Sequence, residues 1–279
     1  MHPASTLAFH DGRRIPQCGL GLWQVENDQA PRLIQTALEL GYRSFDTAAI
    51  YGNESGTGQG LARSGIPREE FFVTTKLWND RHGHSSAKEA FQESLGRLGL
   101  DYVDLYLIHW PVPKVDRYVK AWEALIQLRD EGRARSIGVC NFNIPHLQRL
   151  LDETGVLPVV NQIELHPRFQ QHTLRRFHQE HGILTEAWSP LGQGRLWEDP
   201  VLRGIAAQHG RSVAQVILRW HTQLGHVVIP KTVHAERLSE NLLYDTFQLN
   251  ESDLAAIARL DDPDGRTGPD PELFRLPKA

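Results

Sequence analysis

Short apolar runs alternate with longer helical patterns along the chain, and this alternation limits the possible folds more than any other feature. The runs are apolar on both sides, as expected of parallel strands buried on both faces of a sheet. The eight candidate strands are residues 19–22, 43–46, 72–76, 103–109, 136–139, 159–163, 184–188 and 227–229. Eight strands with intervening helices in 279 residues predict an α/β fold, the (β/α)8 TIM barrel. A doubly wound sheet is the alternative, but the alternation continues evenly with no second composition.

Both ends of the chain are predicted to add elements to the barrel. Residues 7–9, a turn at Asp11-Gly12 and residues 14–16 have the pattern of a small N-terminal β-hairpin. Extra helices are expected at the C-terminal end. Because no Ser/Gly/Pro-rich linker divides the chain, residues 1–279 are predicted to form a single domain.

Charge and cysteine content narrow the kind of partner. Lys and Arg number 30 against 34 Asp and Glu, a net charge of −4 that predicts no attraction to nucleic acid or anionic membrane. Cys18 and Cys140 cannot make a disulfide framework, and their scarcity fits a reducing compartment. The first residues lack a secretion signal, and no apolar run approaches the ~20 residues that span a bilayer. We therefore expect a soluble cytoplasmic protein.

Polar side chains lie at the ends of several candidate strands. In chain order they are Asp46, Lys76, His109, Asn141, Gln162 and Lys231. The C-terminal ends of barrel strands form one face, where barrel enzymes carry their active sites, so we expect these side chains to converge. A charge that closes an apolar run is costly without a partner, and the set indicates a site more strongly than any member alone.

Tyr51 follows the second strand and is the candidate general acid. A neighbouring Lys76 would favour the tyrosinate and lower the tyrosine pKa below its usual value of about 10. Asp46 would anchor Lys76, and His109 would hydrogen-bond the reacting oxygen. This arrangement predicts proton donation near neutral pH by a catalytic group of Asp46, Tyr51, Lys76 and His109.

Seven tryptophans are distributed unevenly over the predicted elements. Trp122 and Trp220 lie on helix faces and are interpreted as core residues, whereas Trp197 lies in a loop. The remaining four fall at or just past strand ends and predict an apolar pocket wall on the same rim. They are Trp23, Trp78, Trp110 and Trp188.

Four long segments resemble the signature motifs of the aldo-keto reductases. They are residues 41–54 (GYRSFDTAAIYGNE), 74–78 (TTKLW), 104–111 (DLYLIHWP) and 229–232 (IPKT). The resemblance extends from the N-terminal hairpin to about Pro263. Within the family, the chain is most similar to bacterial 2,5-diketo-D-gluconate reductases, notably over residues 76–82 (KLWNDRH) and 190–194 (PLGQG).

This resemblance implies a monomer that reduces a small carbonyl compound with NADPH. The substrate would be an aldehyde, a ketone or a diketo sugar acid such as 2,5-diketo-D-gluconate, and the product would be the alcohol. Tyr51 would be the proton donor, Asp46 and Lys76 would tune it, and His109 would orient the substrate carbonyl. NADPH would supply the hydride, while the protein positions both reactants and excludes water.

The resemblance also assigns contacts to each ligand. Asn141 and Gln162 match residues that bind the nicotinamide carboxamide, and Trp188 matches the aromatic residue that stacks on the ring. Lys231 and Arg237 would give the 2′-phosphate charge-assisted hydrogen bonds. The predicted cofactor set is Gly21, Trp23, Asn141, Gln162, Trp188, Ser189, Leu191, Gln193, Lys231, Thr232, Arg237, Glu240 and Asn241. The predicted substrate set is Trp23, Ile50, Trp78, His109 and Trp110.

Two departures from the family pattern bear on cofactor binding. Cys140 stands where the family usually has Ser, and a thiol is a weaker hydrogen-bond partner than a hydroxyl. This substitution predicts a looser hold on the nicotinamide. Residues 195–199 are shorter than the expected cofactor-covering loop, which is expected to affect loop closure and the release rate of NADP. The tail, residues 265–279, is expected to affect specificity.

Two other functions are weighed against this one. A non-catalytic barrel that binds NADPH as a sensor or subunit would not need Tyr51, Lys76 and His109. A metal-dependent hydrolase is suggested only by the fourteen histidines. His178 and His181 are interpreted as part of a solvated helix face, and no metal site is predicted. The glycines of residues 56–60 form GxGxG rather than the dinucleotide motif GxGxxG.

Overall fold

The hairpin predicted at the N-terminus is present in the computed structural model of the protein, which describes residues 5–274. Strand β1 (Thr6–Ala8) pairs antiparallel with β2 (Arg14–Pro16). Gly12 in the connecting turn has a φ of 86°, a conformation that glycine adopts without steric cost. Residues 1–4, within the segment predicted to lack a secretion signal, and residues 275–279 of the tail lie outside the described residues.

Eight parallel strands then form one sheet, and each strand pairs with its neighbours along the chain. They are β3 (Leu20–Gly21), β4 (Ser44–Asp46), β5 (Phe72–Leu77), β6 (Val103–Ile108), β7 (Ala134–Cys140), β8 (Val160–Glu164), β9 (Leu184–Trp188) and β10 (Val227–Val228). All eight predicted strands are confirmed, with ends shifted by at most two residues.

Hydrogen bonds between the two edge strands close the sheet into a barrel. The amide of Gly19 donates to the Val228 carbonyl at 2.9 Å, and the Val228 amide donates to the Gln17 carbonyl at 2.9 Å. Gly21 continues this seam by donating to the Pro230 carbonyl at 3.2 Å. A Cβ atom at Gly21 would lie 2.7 Å from the Ile229 carbonyl oxygen, so only glycine fits this contact. The (β/α)8 prediction is confirmed, and the doubly wound alternative is wrong.

Helices surround the barrel, and the last two strands are each followed by a pair of helices. They are α1 (Ala30–Leu40), α2 (Glu54–Arg63), α3 (His84–Leu98), α4 (Tyr118–Asp130), α5 (Ile144–Thr154), α6 (His172–Glu180), α7 (Pro200–His209), α8 (Val213–Gln223), α9 (Ala235–Asn241) and α10 (Glu251–Ala258). Helix α8 begins with a capping box in which Ser212 and Gln215 satisfy each other's backbone amides. Helices α7 and α10 are the additional C-terminal helices expected from the sequence.

The glycines of residues 56–60 lie in α2 and permit close helix packing. A Cβ atom at Gly56 would lie 2.0 Å from the Asn27 carbonyl oxygen, and one at Gly58 would lie 2.0 Å from the Leu98 carbonyl oxygen. Neither position tolerates a side chain, which explains the glycine pattern without a phosphate-binding loop.

The burial of side chains confirms the prediction of two core tryptophans and corrects the prediction for one histidine. Trp122 and Trp220 are fully enclosed, as predicted. His178 is also buried, so its assignment to a solvated helix face was wrong; its ring contacts Thr185 Oγ1 at 2.9 Å and Asn161 Nδ2 at 3.0 Å. Burial lowers the pKa of His178 to about 3, which keeps the ring neutral.

Between residues 5 and 274, no helix has the length and apolarity needed to cross a membrane. The same part of the chain contains no group of three or more His, Cys, Asp or Glu side chains arranged to hold a metal ion.

Candidate active site

A buried ion pair lies at the C-terminal end of the barrel. Lys76 near the end of β5 donates from Nζ to Asp46 Oδ1 at 2.5 Å, at the end of the adjacent strand β4. The same ammonium donates to the Thr47 carbonyl at 2.9 Å and lies 3.4 Å from Tyr51 Oη. Although burial lowers the pKa of Lys76, the adjacent Asp46 carboxylate raises it above its ordinary value. The lysine is therefore charged throughout the neutral range.

The tyrosine pKa differs from the value expected from the sequence. The pKa of Tyr51 is raised to about 12 rather than lowered, because burial disfavours the tyrosinate by more than Lys76 favours it. Asp46 adds to the increase, since its negative charge opposes that of a phenolate. Tyr51 therefore keeps its proton at neutral pH, which suits a proton donor.

His109 completes the cluster as a neutral ring. Its imidazole makes edge contacts with Tyr51 and Trp78, at centroid distances of 5.6 and 5.2 Å. Burial, reinforced by the Lys76 charge, holds the His109 pKa well below its usual value. Its Nδ1 atom is buried and has no hydrogen-bond partner among residues 5–274. The four residues predicted to be catalytic are therefore brought together: the phenol hydroxyl lies 3.4 Å from Lys76 Nζ, and the neutral imidazole contacts the phenol ring.

Polar groups from β7, β8 and β9 adjoin this cluster. Asn141 has a φ of 62° and bridges two predicted site residues: its Nδ2 donates to the His109 carbonyl at 3.0 Å, and its Oδ1 accepts from Trp188 Nε1 at 2.8 Å. Gln162 Nε2 donates to Asp46 Oδ2 at 2.9 Å. Cys140 makes only a long contact, 3.8 Å from its Sγ atom to Gln162 Oε1, consistent with the weak donor expected of a thiol.

Hydrogen bonds to Glu164 hold the C-terminal tail at this end of the barrel. This buried carboxylate accepts from the backbone amide and hydroxyl of Thr267, both at 2.6 Å, and from the Gly268 amide at 3.0 Å. Gly268 lies against the Trp188 ring, since a Cβ atom there would come within 2.4 Å of the indole. The tail therefore packs against the tryptophan that the family resemblance places beside the nicotinamide.

The tail also supplies an aromatic residue that the sequence did not reveal. Phe274 stacks on Trp110 with ring centres 4.3 Å apart and planes 6° apart, and it meets Trp78 edge-on at 6.3 Å. Phe274 thus joins two of the four predicted wall tryptophans beside His109. Trp23 is 47% exposed and makes no aromatic contact with another ring among the described residues, and Ile50 is 48% exposed.

The segments predicted to hold the rest of the cofactor follow β9 and β10. Ser189 and Gln193 both have positive φ, and Leu191 is half-buried between them. Residues 195–199 are held at both ends, since Leu196 is buried and Asp199 caps α7 through the amides of Val201 and Leu202.

The predicted cofactor residues that follow β10 in the chain differ in side-chain exposure. Lys231 and Arg237 are exposed, and neither has a carboxylate within 4 Å in the described part of the chain. Glu240 is half-buried, while Thr232 and Asn241 are buried. Two unpaired cations on one exposed segment form a surface suited to a phosphate group.

A (β/α)8 barrel with an acid–base cluster at its C-terminal mouth is the class of protein that these observations define. Residues 17–262 match the sequence model of the Aldo/keto reductase family. The chain belongs to this family.

Individual relatives cover nearly the whole chain. An aldo-keto reductase of Mycolicibacterium smegmatis is 53% identical over 276 residues, which is 99% of each chain. The methylglyoxal reductase DkgA of Escherichia coli K12 is 51% identical over 272 residues, covering 97% of this chain and 98% of the relative. A crystal structure of a Gox0644 mutant in complex with NADPH has a TM-score of 0.95 at 49% identity, covering 98% of this chain and 99% of that one. The family resemblance and the prediction of an oxidoreductase are thereby confirmed.

Proposed function

We propose that the protein reduces small aldehydes and ketones to alcohols with NADPH, and that Tyr51 donates the proton. The observation that carries this proposal is the buried Lys76–Asp46 pair, whose Lys76 Nζ atom lies 3.4 Å from Tyr51 Oη, beside a neutral His109. The similarity to a structure in complex with NADPH supports the choice of cofactor. We also propose that residues 1–279 act as a single domain, as a cytoplasmic monomer that needs no nucleic acid.

The residues at the barrel mouth have the donor groups that NADPH requires. Asn141 and Gln162 would hold the carboxamide, Trp188 would stack on the nicotinamide, and the exposed cations Lys231 and Arg237 would bind the 2′-phosphate. Gly21, Trp23, Ser189, Leu191, Gln193, Thr232, Glu240 and Asn241 would complete the set. When bound, NADPH supplies the hydride that reduces the carbonyl carbon.

The protein's side chains supply the proton and orient the substrate carbonyl. The Tyr51 hydroxyl and the His109 ring would both hydrogen-bond the carbonyl oxygen, which orients the substrate for reduction. Tyr51 then transfers its proton to that oxygen, and the Lys76 ammonium stabilises the tyrosinate that remains. Asp46 keeps Lys76 charged and fixed in place. The aromatic wall excludes water from the reacting groups.

Small dicarbonyl compounds are the substrate class that we favour. The name of the Escherichia coli relative points to methylglyoxal, and 2,5-diketo-D-gluconate stays a candidate through the resemblance of residues 76–82 and 190–194. Comparing kcat/KM for methylglyoxal, 2,5-diketo-D-gluconate and an aromatic aldehyde tests the assignment. NADPH consumption with any of them supports carbonyl reduction, whereas tight NADPH binding with no turnover on any carbonyl would favour the sensor alternative.

Replacing Phe274 by Ala is expected to raise KM for the preferred substrate about fivefold, with little change in kcat. The phenyl ring stacks on Trp110 and shapes the wall beside His109 without touching the proton donor. An aromatic pair contributes about 0.5–1.5 kcal/mol, which corresponds to this range. Steady-state kinetics with Leu273→Ala as the control tests the prediction, because Leu273 is 65% exposed. Equal effects of the two substitutions on KM would show that Phe274 does not contribute to the substrate pocket.

Replacing Arg237 by Ala is expected to raise KM for NADPH about tenfold or more and to leave KM for NADH nearly unchanged. A hydrogen bond to a charged group is worth about 1.5–3 kcal/mol, and only NADPH carries the 2′-phosphate. The effect should diminish at high ionic strength, since the guanidinium is exposed. Parallel loss of affinity for both cofactors would show that Arg237 supports the fold of this segment instead.

A further inference from the structure

A second carboxyl group lies inside the barrel beside the catalytic ion pair. Glu186 on β9 is buried and stands directly opposite Gln162 on β8 in the register of the two strands. Gln162 Nε2 donates to Glu186 Oε2 at 2.9 Å and to Asp46 Oδ2 at 2.9 Å. Because an amide nitrogen has two hydrogens, both are committed to carboxyl oxygens. Among residues 5–274, its Oε1 atom makes only the weak contact with Cys140.

The charge balance of this interior determines the state of Glu186. Lys76 is the cation of the cluster, and Asp46 already pairs with it at 2.5 Å. A second carboxylate would be buried without a counter-charge, which is costly. Burial, with the like charge of Asp46, accordingly raises the pKa of Glu186 to about 8, although Gln162 and Lys76 act in the opposite direction. At neutral pH the Glu186 carboxyl is therefore protonated, and it loses this proton as the pH rises past about 8.

We propose that Glu186 is a positioning residue for the nicotinamide end of the site, holding the Gln162 amide in one orientation and coupling its own proton to the oxidation state of the cofactor. This inference rests on the proposed function. With Nε2 fixed by two carboxyl groups, Gln162 presents Oε1 as the acceptor for a carboxamide. Oxidised nicotinamide is positively charged and reduced nicotinamide is neutral, so an ionised Glu186 favours the oxidised cofactor by Coulomb attraction.

Lys76 and Cys140, which lie near Glu186, do not titrate near pH 8. Those that face it are Asp46 from β4, Lys76 from β5, Cys140 from β7 and Gln162 from β8, with the apolar Val227 on β10. Burial raises the pKa of Cys140 well above its usual value, and Lys76 stays protonated. Tyr51 titrates far above pH 8, and His109 far below it.

The decisive experiment measures the ratio of NADP to NADPH affinity by calorimetry between about pH 6.5 and pH 9.5. Protonation of the 2′-phosphate affects both cofactors alike and cancels in the ratio. In the wild-type protein the ratio should shift about fivefold toward NADP as pH rises through about 8. Glu186→Gln keeps an acceptor for Gln162 but cannot ionise, so its ratio should stay at the low-pH value. Glu54→Gln is the matched control, because Glu54 is equally buried but contacts Thr75 and Arg97 instead.

A second variant distinguishes the positioning role of Glu186 from the effect of its charge. Glu186→Leu removes the acceptor and should weaken binding of both cofactor forms about tenfold at pH 6.5, where the wild-type carboxyl is neutral, whereas Glu186→Gln should not. A wild-type pH shift that persists in Glu186→Gln, or wild-type affinities in Glu186→Leu, would overturn the proposal.

Thermal unfolding of the ligand-free protein tests the buried acid independently of any cofactor. A carboxyl whose pKa rises from 4.5 unfolded to about 8 folded takes up a proton on folding, so wild-type stability should fall as pH rises across that window. The Tm of Glu186→Gln should therefore increase relative to wild type from pH 5 to pH 8. Identical pH responses would overturn the proposal even if the protein bound neither cofactor, a result that would separately contradict the proposed function.

Discussion

Replacing Tyr51 by Phe is expected to lower kcat for carbonyl reduction about 10³-fold, in the range that general acids contribute. The phenyl ring retains the edge contact with His109 and the face toward Lys76, so the site should keep its shape. Only the hydroxyl 3.4 Å from Lys76 Nζ is lost. Steady-state kinetics gives the loss in turnover, and titration of tryptophan fluorescence gives NADPH affinity, which should change less than about twofold.

The pattern of losses decides the role of Tyr51. Loss of turnover with intact NADPH affinity assigns the proton to the hydroxyl. Equal loss of turnover and affinity would instead place Tyr51 among the groups that hold the cofactor. Because the Tyr51 pKa is about 12, ionisation of the phenol should not limit the reduction rate anywhere below about pH 10.

Replacing Lys76 by Met is expected to affect both catalysis and stability. Over 3.4 Å, an ammonium at an effective dielectric constant of about 20 stabilises a tyrosinate by about 5 kcal/mol, and the neighbouring Asp46 offsets part of this. We therefore expect kcat to fall about 10²- to 10³-fold. Asp46 would remain buried without its counter-charge, so the free energy of unfolding should decrease by about 3–5 kcal/mol. Denaturant titration measures this second effect.

A double variant separates the two consequences of losing Lys76. Asp46→Asn combined with Lys76→Met removes both charges, and the Asn carbonyl oxygen can still accept from Gln162 Nε2. Most of the lost stability should return, because a neutral pair leaves no uncompensated charge. Activity should stay low, since no ammonium faces Tyr51. Recovery of turnover in the double variant would show that Lys76 acts only by maintaining the fold.

The barrel could be predicted from the sequence because its signal is local and repeated. Each strand is a short apolar run, and the polar residue at its end recurs in the same phase of the βα unit. Asp46, Lys76 and His109 could therefore be placed on one rim without knowing any distance. The N-terminal hairpin was equally accessible, since Asp11-Gly12 is a turn signal between two short runs.

The predictions that were wrong or missed depend on burial and on contacts between residues that are distant in sequence. The direction of the Tyr51 pKa shift depends on how far desolvation outweighs Lys76, and no spacing of residues contains that balance. His178 has polar neighbours on its own helix, but its ring turns inward to Thr185 and Asn161. Phe274 lies more than 160 residues from Trp110 in the chain, and only the path of the tail brings the rings together.

One missed residue did have a signal. Glu186 interrupts a run of residues that was otherwise assigned to a buried strand, and an acid in that position needs a hydrogen-bond partner or a proton. The spacing shows the acid but not its partner, because Gln162 is on a different strand and becomes its neighbour only through the register of β8 and β9.

Hydride transfer from NADPH to a carbonyl carbon is the central claim, and isotope transfer tests it most directly. The purified protein would be incubated with methylglyoxal and with NADPH that carries deuterium at both C4 positions. We predict an alcohol with one deuterium on the former carbonyl carbon, formed in equal amount to the NADPH oxidised, and little product from Tyr51→Phe in the same time. An alcohol without deuterium, or NADPH that stays unoxidised with every carbonyl supplied, would contradict the proposed function.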